Sequence, residues 1–136
     1  MYKMTVPFED FNGEERVGDF YFNITKAEAS EWELSKDGGL STLLEKIVKE
    51  KKMSEIIGYF KEILIKAYGE KSLDGMYFDK SEEVKKRFVN SAAFSEIYMK
   101  LITDEEEAAR FVNNILPKDL RAKAEEKKNE VIDAKN

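Results

Sequence analysis

Histidine and cysteine are absent from this 136-residue chain, and proline occurs only twice. Without them there is no His-based triad, no thiol nucleophile and none of the usual zinc, iron–sulfur or haem ligand sets. A disulfide framework is also excluded, which suits a reducing compartment. No apolar run approaches the ~18 residues that a membrane-spanning helix needs. The opening MYKMTVPFED reaches acids where a signal peptide would carry its apolar core. A basic excess is missing too: 23 Lys+Arg against 28 Asp+Glu gives 23 − 28 = −5, a poor balance for binding phosphates. The expectation is an intracellular, soluble chain with no nucleic-acid and no membrane partner. What is present is a 42% hydrophobic composition with nine Phe and six Tyr, enough apolar surface for a globular core.

The first 25 residues read as β. Tyr2, Met4, Val6 and Phe8 alternate with polar residues or proline, and Phe20, Phe22 and Ile24 repeat the period of two. Asn12-Gly13 marks a hairpin turn between them. A two-residue turn would set Tyr2–Phe8 opposite odd-numbered residues and split the aromatic face. A three-residue loop, Phe11-Asn12-Gly13 with Gly13 in the left-handed region, restores even-with-even pairing; a bulge at Gly18 would be the other remedy. Such a ribbon is marginal alone, so its aromatic face must pack on helices. Its outer edges would stay open to strand addition.

Everything after Thr25 reads as helix. Thr25-x-x-Glu28 is a capping box opening a short helix to about Leu34, stopped by Gly38-Gly39. A stripe of Leu43, Leu44, Ile47 and Val48 follows, capped by Ser41 or Thr42. Ser54 would cap a helix with the stripe Ile56, Ile57, Phe60, Ile63, Leu64, Ala67 and Tyr68, ended by Gly69. Leu73–Met76 is a turn, and Met76-Tyr77-Phe78 a short extended piece. From Ser81 the apolar face shifts: Val84 and Phe88 lie nearly opposite Phe94, Ile97, Tyr98 and Leu101. One straight helix cannot carry that shift, so the spacing predicts a break near Asn90-Ser91. The second half, with its wide apolar arc, should be the most buried helix. Thr103-x-x-Glu106 reads as a second capping box, opening a helix that ends before Pro117. The fold class is therefore α+β, mainly helical, with an N-terminal antiparallel hairpin on the helices. Residues 1–117 form one globular domain (1–25 hairpin, 26–117 helices), and 118–136 form a charged, fraying helical tail.

Carboxylates are the only candidate acid/base groups. Asp104-Glu105-Glu106-Glu107 is dense enough to suggest a hard cation, but acids belong in the first turn of a helix and no Asp-x-Asp-x-Asp-Gly loop accompanies them. No metal site, cofactor or catalytic group is expected. Lys85-Lys86-Arg87 and Lys127-Lys128 alternate with acids or lie opposite an apolar stripe, as solvated helix surface does. Neither a phosphate-binding Gly-rich loop nor a nucleophile elbow occurs. Ile65 alone sits off its stripe, among Gly58, Lys61 and Glu62. It is either a lone surface isoleucine or a contact for a partner or a second copy.

Tyr68-Gly69-Glu70-Lys71-Ser72, followed by Asp74-Gly75 and Phe78-x-Lys80, resembles the tail assembly chaperones of long-tailed bacteriophages and prophages. The pattern continues through Glu82-Glu83, Phe88, Ser91, Ala93-Phe94-Ser95, Leu101, Asp104, Ala108-Ala109-x-Phe111 and Asn113-x-Ile115-x-Pro117. It also takes in Asp10-Phe11-Asn12-Gly13, Phe20-Tyr21-Phe22-Asn23 and Lys26-x-Glu28, so it spans about residues 8–117. The resemblance implies a non-enzymatic assembly factor in the host bacterial cytoplasm. Such a factor binds the tape measure protein, keeps its apolar helical segments soluble and helps tail tube subunits polymerise around it; self-association is expected as well. Of the motif positions, Tyr68, Gly69, Ser72, Asp74, Gly75, Phe78, Lys80, Phe94 and Ser95 read first as supports of the fold: Asp-Gly makes a turn, and Tyr68 and Phe78 pack. The alternative is a minor structural or tail-completion protein retained in the virion.

For stability, Phe60→Ala and Ile97→Ala are core truncations expected to cost on the order of 2–5 kcal/mol each. Equilibrium denaturation measures this.

Overall fold

A computed structural model describes residues 1–35, 39, 42–43 and 53–117. The stripe from Leu44 to Val48, the Gly38 stop and the tail from 118 lie outside the described residues. In chain order the elements are β1 (Tyr2–Glu9), β2 (Glu15–Phe22), α1 (Lys26–Glu33), α2 (Met53–Ala67), β3 (Tyr68–Lys71), β4 (Phe78–Asp79), α3 (Glu82–Val89), α4 (Ala92–Thr103) and α5 (Glu105–Ile115). The four strands make one antiparallel sheet in the order β1-β2-β3-β4. The fold is α+β.

The N-terminal hairpin takes the three-residue loop. Asp10 N–H donates to the Glu14 carbonyl at 2.9 Å, Gly13 N–H donates to the Asp10 carbonyl at 3.0 Å, and Gly13 has φ +82°. The strands then pair in even register, Tyr2 with Phe22, Met4 with Phe20 and Phe8 with Arg16, and Gly18 needs no bulge. Met4, Val6 and Phe22 are buried on the face turned to the helices, whereas Lys3, Thr5, Pro7 and Val17 are exposed on the other. Bonded and non-bonded pairs alternate in such a ladder. Starting from the bonded Asp10–Glu14 pair, the odd residues of β1 turn their N–H groups to the outer edge. Pro7 stands there, so its missing donor costs the ladder nothing and interrupts that edge.

Strand β3 corrects the reading of a helix running to Gly69, and β4 starts at Phe78, the last residue of the extended piece expected at Met76–Phe78. Helix α2 ends at Ala67, and Tyr68 and Gly69 leave it to pair with Phe22 and Tyr21 on the inner edge of β2. The ribbon is thus the outer half of a larger sheet. Tyr68 continues the helical stripe in sequence, but it is extended, paired with Phe22 and packed against the rings of Phe22 and Phe88. Ser54 lies inside α2, not ahead of it as a cap would. Thr25 makes the full capping box with Glu28. The predicted break is present: α3 ends at Val89 with Asn90 as its C-cap, and Ser91 caps α4 through Phe94 N–H. At the α4–α5 junction the cap moves by one residue. Asp104 accepts from Glu106 and Glu107 N–H at 3.1 Å, while the Thr103 hydroxyl donates back to the Met99 carbonyl. A carboxylate at the positive end of a helix outcompetes a hydroxyl. Helix α4 is not the most buried. It buries Ala93, Ile97 and Leu101, with Met99 about half exposed, whereas α5 buries Glu107, Ala108, Phe111 and Ile115.

The acids at the start of α5 serve the fold. Glu107 is buried, accepting from the Tyr2 hydroxyl at 2.6 Å and from Arg110 Nη2 at 2.6 Å. Burial alone would raise its pKa, but the Tyr2 hydroxyl and Arg110 outweigh it and hold the carboxyl below the usual range. Burial, reinforced by Glu107, pushes the Tyr2 phenol up to about 12.

Because the folded Glu107 pKa is depressed, its contribution is present above the ordinary carboxylate pKa and lost as pH falls through the folded value. Because the folded Tyr2 pKa is raised, its contribution is full below about pH 10 and lost as pH rises towards 12. Urea denaturation across pH should show both losses. Tyr2→Phe should remove the alkaline one and cost about 1.5–3 kcal/mol at neutral pH, as a hydrogen bond to a charged group.

Candidate functional site

The segment between α2 and α3 carries most of the motif residues, and the structure sorts them into supports and a tip. Tyr68 is buried with its ring stacked on Phe88, centroids 3.8 Å apart at 18°. Gly69 is buried against Phe78, and a Cβ there would fall 2.7 Å from that ring and 3.0 Å from the Asp79 carbonyl. Only glycine fits that approach. Glu70 pairs with Asp79 across the β3–β4 ladder. These like charges would repel, and Arg87 of α3 answers with an ion pair to Glu70 at 3.1 Å.

The turn beyond is locked by its own polar groups. Ser72 N–H donates to the Tyr77 carbonyl at 2.9 Å, and Gly75, with φ +77°, donates to the Ser72 carbonyl at 3.1 Å. The Asp74 carboxylate accepts from Met76 N–H at 3.0 Å and from the Ser72 hydroxyl at 2.7 Å, which holds its pKa below the usual range. The Ser72 oxygen in turn accepts from Tyr77 N–H at 3.0 Å. On this fixed backbone Leu73, Met76 and Tyr77 stand in solvent, at least 73% exposed.

The β1–β2 tip is built alike. Asp10 accepts from Asn12 and Glu14 N–H and from Arg16 Nε at 2.6 Å; Phe11 at the tip is 84% exposed and Val17, in β2 opposite Pro7, 71%. Since β3 runs antiparallel to β2 from Phe22 towards the hairpin end, both turns emerge from the same end of the sheet.

At the other end of the segment two lysines anchor helices. Lys80 Nζ donates to the Asn23 carbonyl at 2.5 Å and to Glu28 at 2.7 Å, joining the exit of β2 to α1. Lys85 Nζ donates to the carbonyls of Ile65, Lys66 and Tyr68, which closes the C-terminus of α2. Burial, together with the charge of Lys80, lowers the Lys85 pKa to about 8. A shallow open depression of about 390 Å³ lies between them, lined in part by Glu28, Trp32, Glu62 and Lys66. Lys66 sits 4.8 Å over the Trp32 ring. These amines tie backbone, carboxylate and ring together.

The remaining positions lie elsewhere. Phe94 is half-buried, edge-on to Phe88 at 5.2 Å and stacked on Tyr98 at 5.8 Å. Ser95 is exposed on α4, and Ile65 is half-buried on α2. The structure therefore joins Tyr68 and Phe94 through Phe88, Gly69 with Phe78, and Ser72 with Asp74 and Gly75. Sequence reasoning missed the exposed apolar tips and the lysine anchors. Asp74-Gly75 between two short runs was the signal for the second hairpin.

Gly69→Ala should destabilise the fold by about 1–3 kcal/mol through overpacking. Leu73→Ser, Met76→Ser and Tyr77→Ser should each stay within about 0.5 kcal/mol, as surface substitutions do. Chemical denaturation of the four variants checks the contrast.

Compared with known families, the chain matches over residues 1–136 a family model described as phage tail assembly chaperone. No curated protein and no solved structure matches it.

Proposed function

The chain belongs to the phage tail assembly chaperone family, and from that premise we propose that it acts by binding alone, with the tape measure protein as its client. In this reading it masks apolar helical segments of the client in the host bacterial cytoplasm while tail tube subunits polymerise, and it leaves before the particle is complete. The observation that carries the reading is the pair of polar-locked turns holding apolar side chains in solvent. A core has no use for Phe11, Leu73, Met76 or Tyr77 at exposures of 73% and above, and exposed apolar groups of this kind mark interaction sites. Among the described residues no helix is long and apolar enough to cross a membrane.

The motif residues then divide by role. Tyr68, Gly69, Phe78, Lys80 and Phe94 hold the scaffold, and Ser72, Asp74 and Gly75 fix the turn that presents the contact residues. Self-association belongs to the same reading, with Ile65 on the flank of α2 as its contact. Equilibrium denaturation of Ile65→Ala at several protein concentrations tests that contact, because a subunit interface makes the loss depend on concentration.

The decisive experiment is co-expression with the tape measure protein of the same phage, followed by pull-down and a solubility assay. The client should precipitate alone, and should stay soluble and co-purify with this chain. A client that neither binds nor gains solubility overturns the reading. Detection of the chain in purified virions by mass spectrometry would replace it with a retained tail component.

A further inference from the structure

The acid of this protein is unevenly placed. Residues 9–19 and 70–79, which include the two turns, hold eight acids (Glu9, Asp10, Glu14, Glu15, Asp19, Glu70, Asp74 and Asp79) and two bases, Arg16 and Lys71. That is 2 − 8 = −6, against −5 for the whole chain, so all other residues together carry 21 − 20 = +1. Three of the eight are paired: Asp10 with Arg16, Asp19 with Lys3 and Glu70 with Arg87. Glu9, Glu14, Glu15, Asp74 and Asp79 form no ion pair among the described residues. The same two segments supply five of the eight exposed large hydrophobics among the described residues: Phe11, Val17, Leu73, Met76 and Tyr77. The register of β2 with β3 brings both segments to one end of the sheet.

Resting on the client-binding reading above, we propose that this end of the sheet is the docking surface, and that it takes a client segment whose apolar residues are flanked by Lys and Arg. Apolar side chains supply the area to be buried, and unpaired carboxylates around them favour a basic partner and repel an acidic one. The turns are already fixed by Asp10, Ser72 and Asp74, so docking orders little backbone, which favours affinity. A second copy of this chain fits less well, because it would bring the same carboxylates against these.

The test uses the full chain and two labelled probe peptides, one of alternating Leu-Lys blocks and one of Leu-Glu blocks of equal length. Fluorescence anisotropy should show binding of the basic peptide only, weakening as salt is raised. The Leu73→Ser/Met76→Ser/Tyr77→Ser variant and the Glu14→Lys/Glu15→Lys variant should each bind it at least about tenfold more weakly, as the loss of a binding hot spot does. Equal binding of both peptides, binding of neither, or variants that match the parent would overturn the surface. So would a change of sedimentation coefficient in the variants, which would make this end a contact between copies. The same variants in the client solubility assay separate the two claims. If the parent protects the client and the variants do so equally, the surface is wrong and the chaperone reading stands. If the parent fails to protect it, the chaperone reading falls whatever the peptides do.

Discussion

The structure depends on the end of β2. Phe22, its last residue, is fully buried and meets the rings of Tyr68, Phe88 and Phe111 at 5.7, 5.9 and 5.4 Å. It pairs with Tyr2 on one side and Tyr68 on the other. The next two residues continue the hold: Asn23 N–H donates to the Ala67 carbonyl and Ile24 N–H to the Ile115 carbonyl, each at 2.8 Å. Three consecutive residues thus join two strands to the final turns of α2 and α5. Aromatic pairs in tilted and edge-on geometry add about 0.5–1.5 kcal/mol each to the burial. Lys80 completes the knot by bonding the carbonyl of Asn23.

With the knot at one end of the sheet, the other end is released from core duty. Phe8 and Phe20 form the last aromatic contact before the hairpin tip, edge-on at 6.2 Å; Phe11 at the tip and Val17, on the outer face opposite Pro7, are exposed. Their exposure is stable because the backbone beneath does not depend on them. Asp10 and Asp74 satisfy the turn amides with carboxylates, and Gly13 and Gly75 take the left-handed conformation at little steric cost. Polar groups fix the shape, and the apolar groups are left in solvent.

Much of the fold was legible because it rests on periodicities and caps. The period of two in residues 2–8 and 20–24, set against Asn12-Gly13, leads to the three-residue loop once both aromatic sets must share a face. The shift of the apolar face after Phe88 leads to the break at Asn90-Ser91 for the same reason. Strand β3 escaped because four residues carry too little pattern and Tyr68 sits where the stripe of α2 would place it, whereas the extended piece expected at Met76–Phe78 overlaps β4 only at Phe78. The extended conformation of Tyr68 is decided by Phe22 and Phe88, which are distant in sequence. The candidate surface was half legible. The acids of residues 9–19 and 70–79 can be counted in the sequence, but only the pairing of Tyr21 with Gly69 brings the two runs together.

On the proposed reading a protein that offers apolar side chains to a client must keep them from its own copies, and the arrangement of edges and charges answers that need. The outer edge of β1 is interrupted by Pro7, and β4 at the far edge is two residues long, so neither offers a long template for strand addition. Five of the eight exposed large hydrophobics among the described residues lie in the segments that carry the negative charge, where two copies meeting face to face would bring Glu9, Glu14 and Glu15 against themselves. Like charges in close apposition cost energy, and the cost grows as water is excluded. On the proposed reading the same carboxylates keep two copies from meeting through this end and select a basic client, while the flank of α2 stays free for self-association. One placement of charge then serves both purposes without a second structural element.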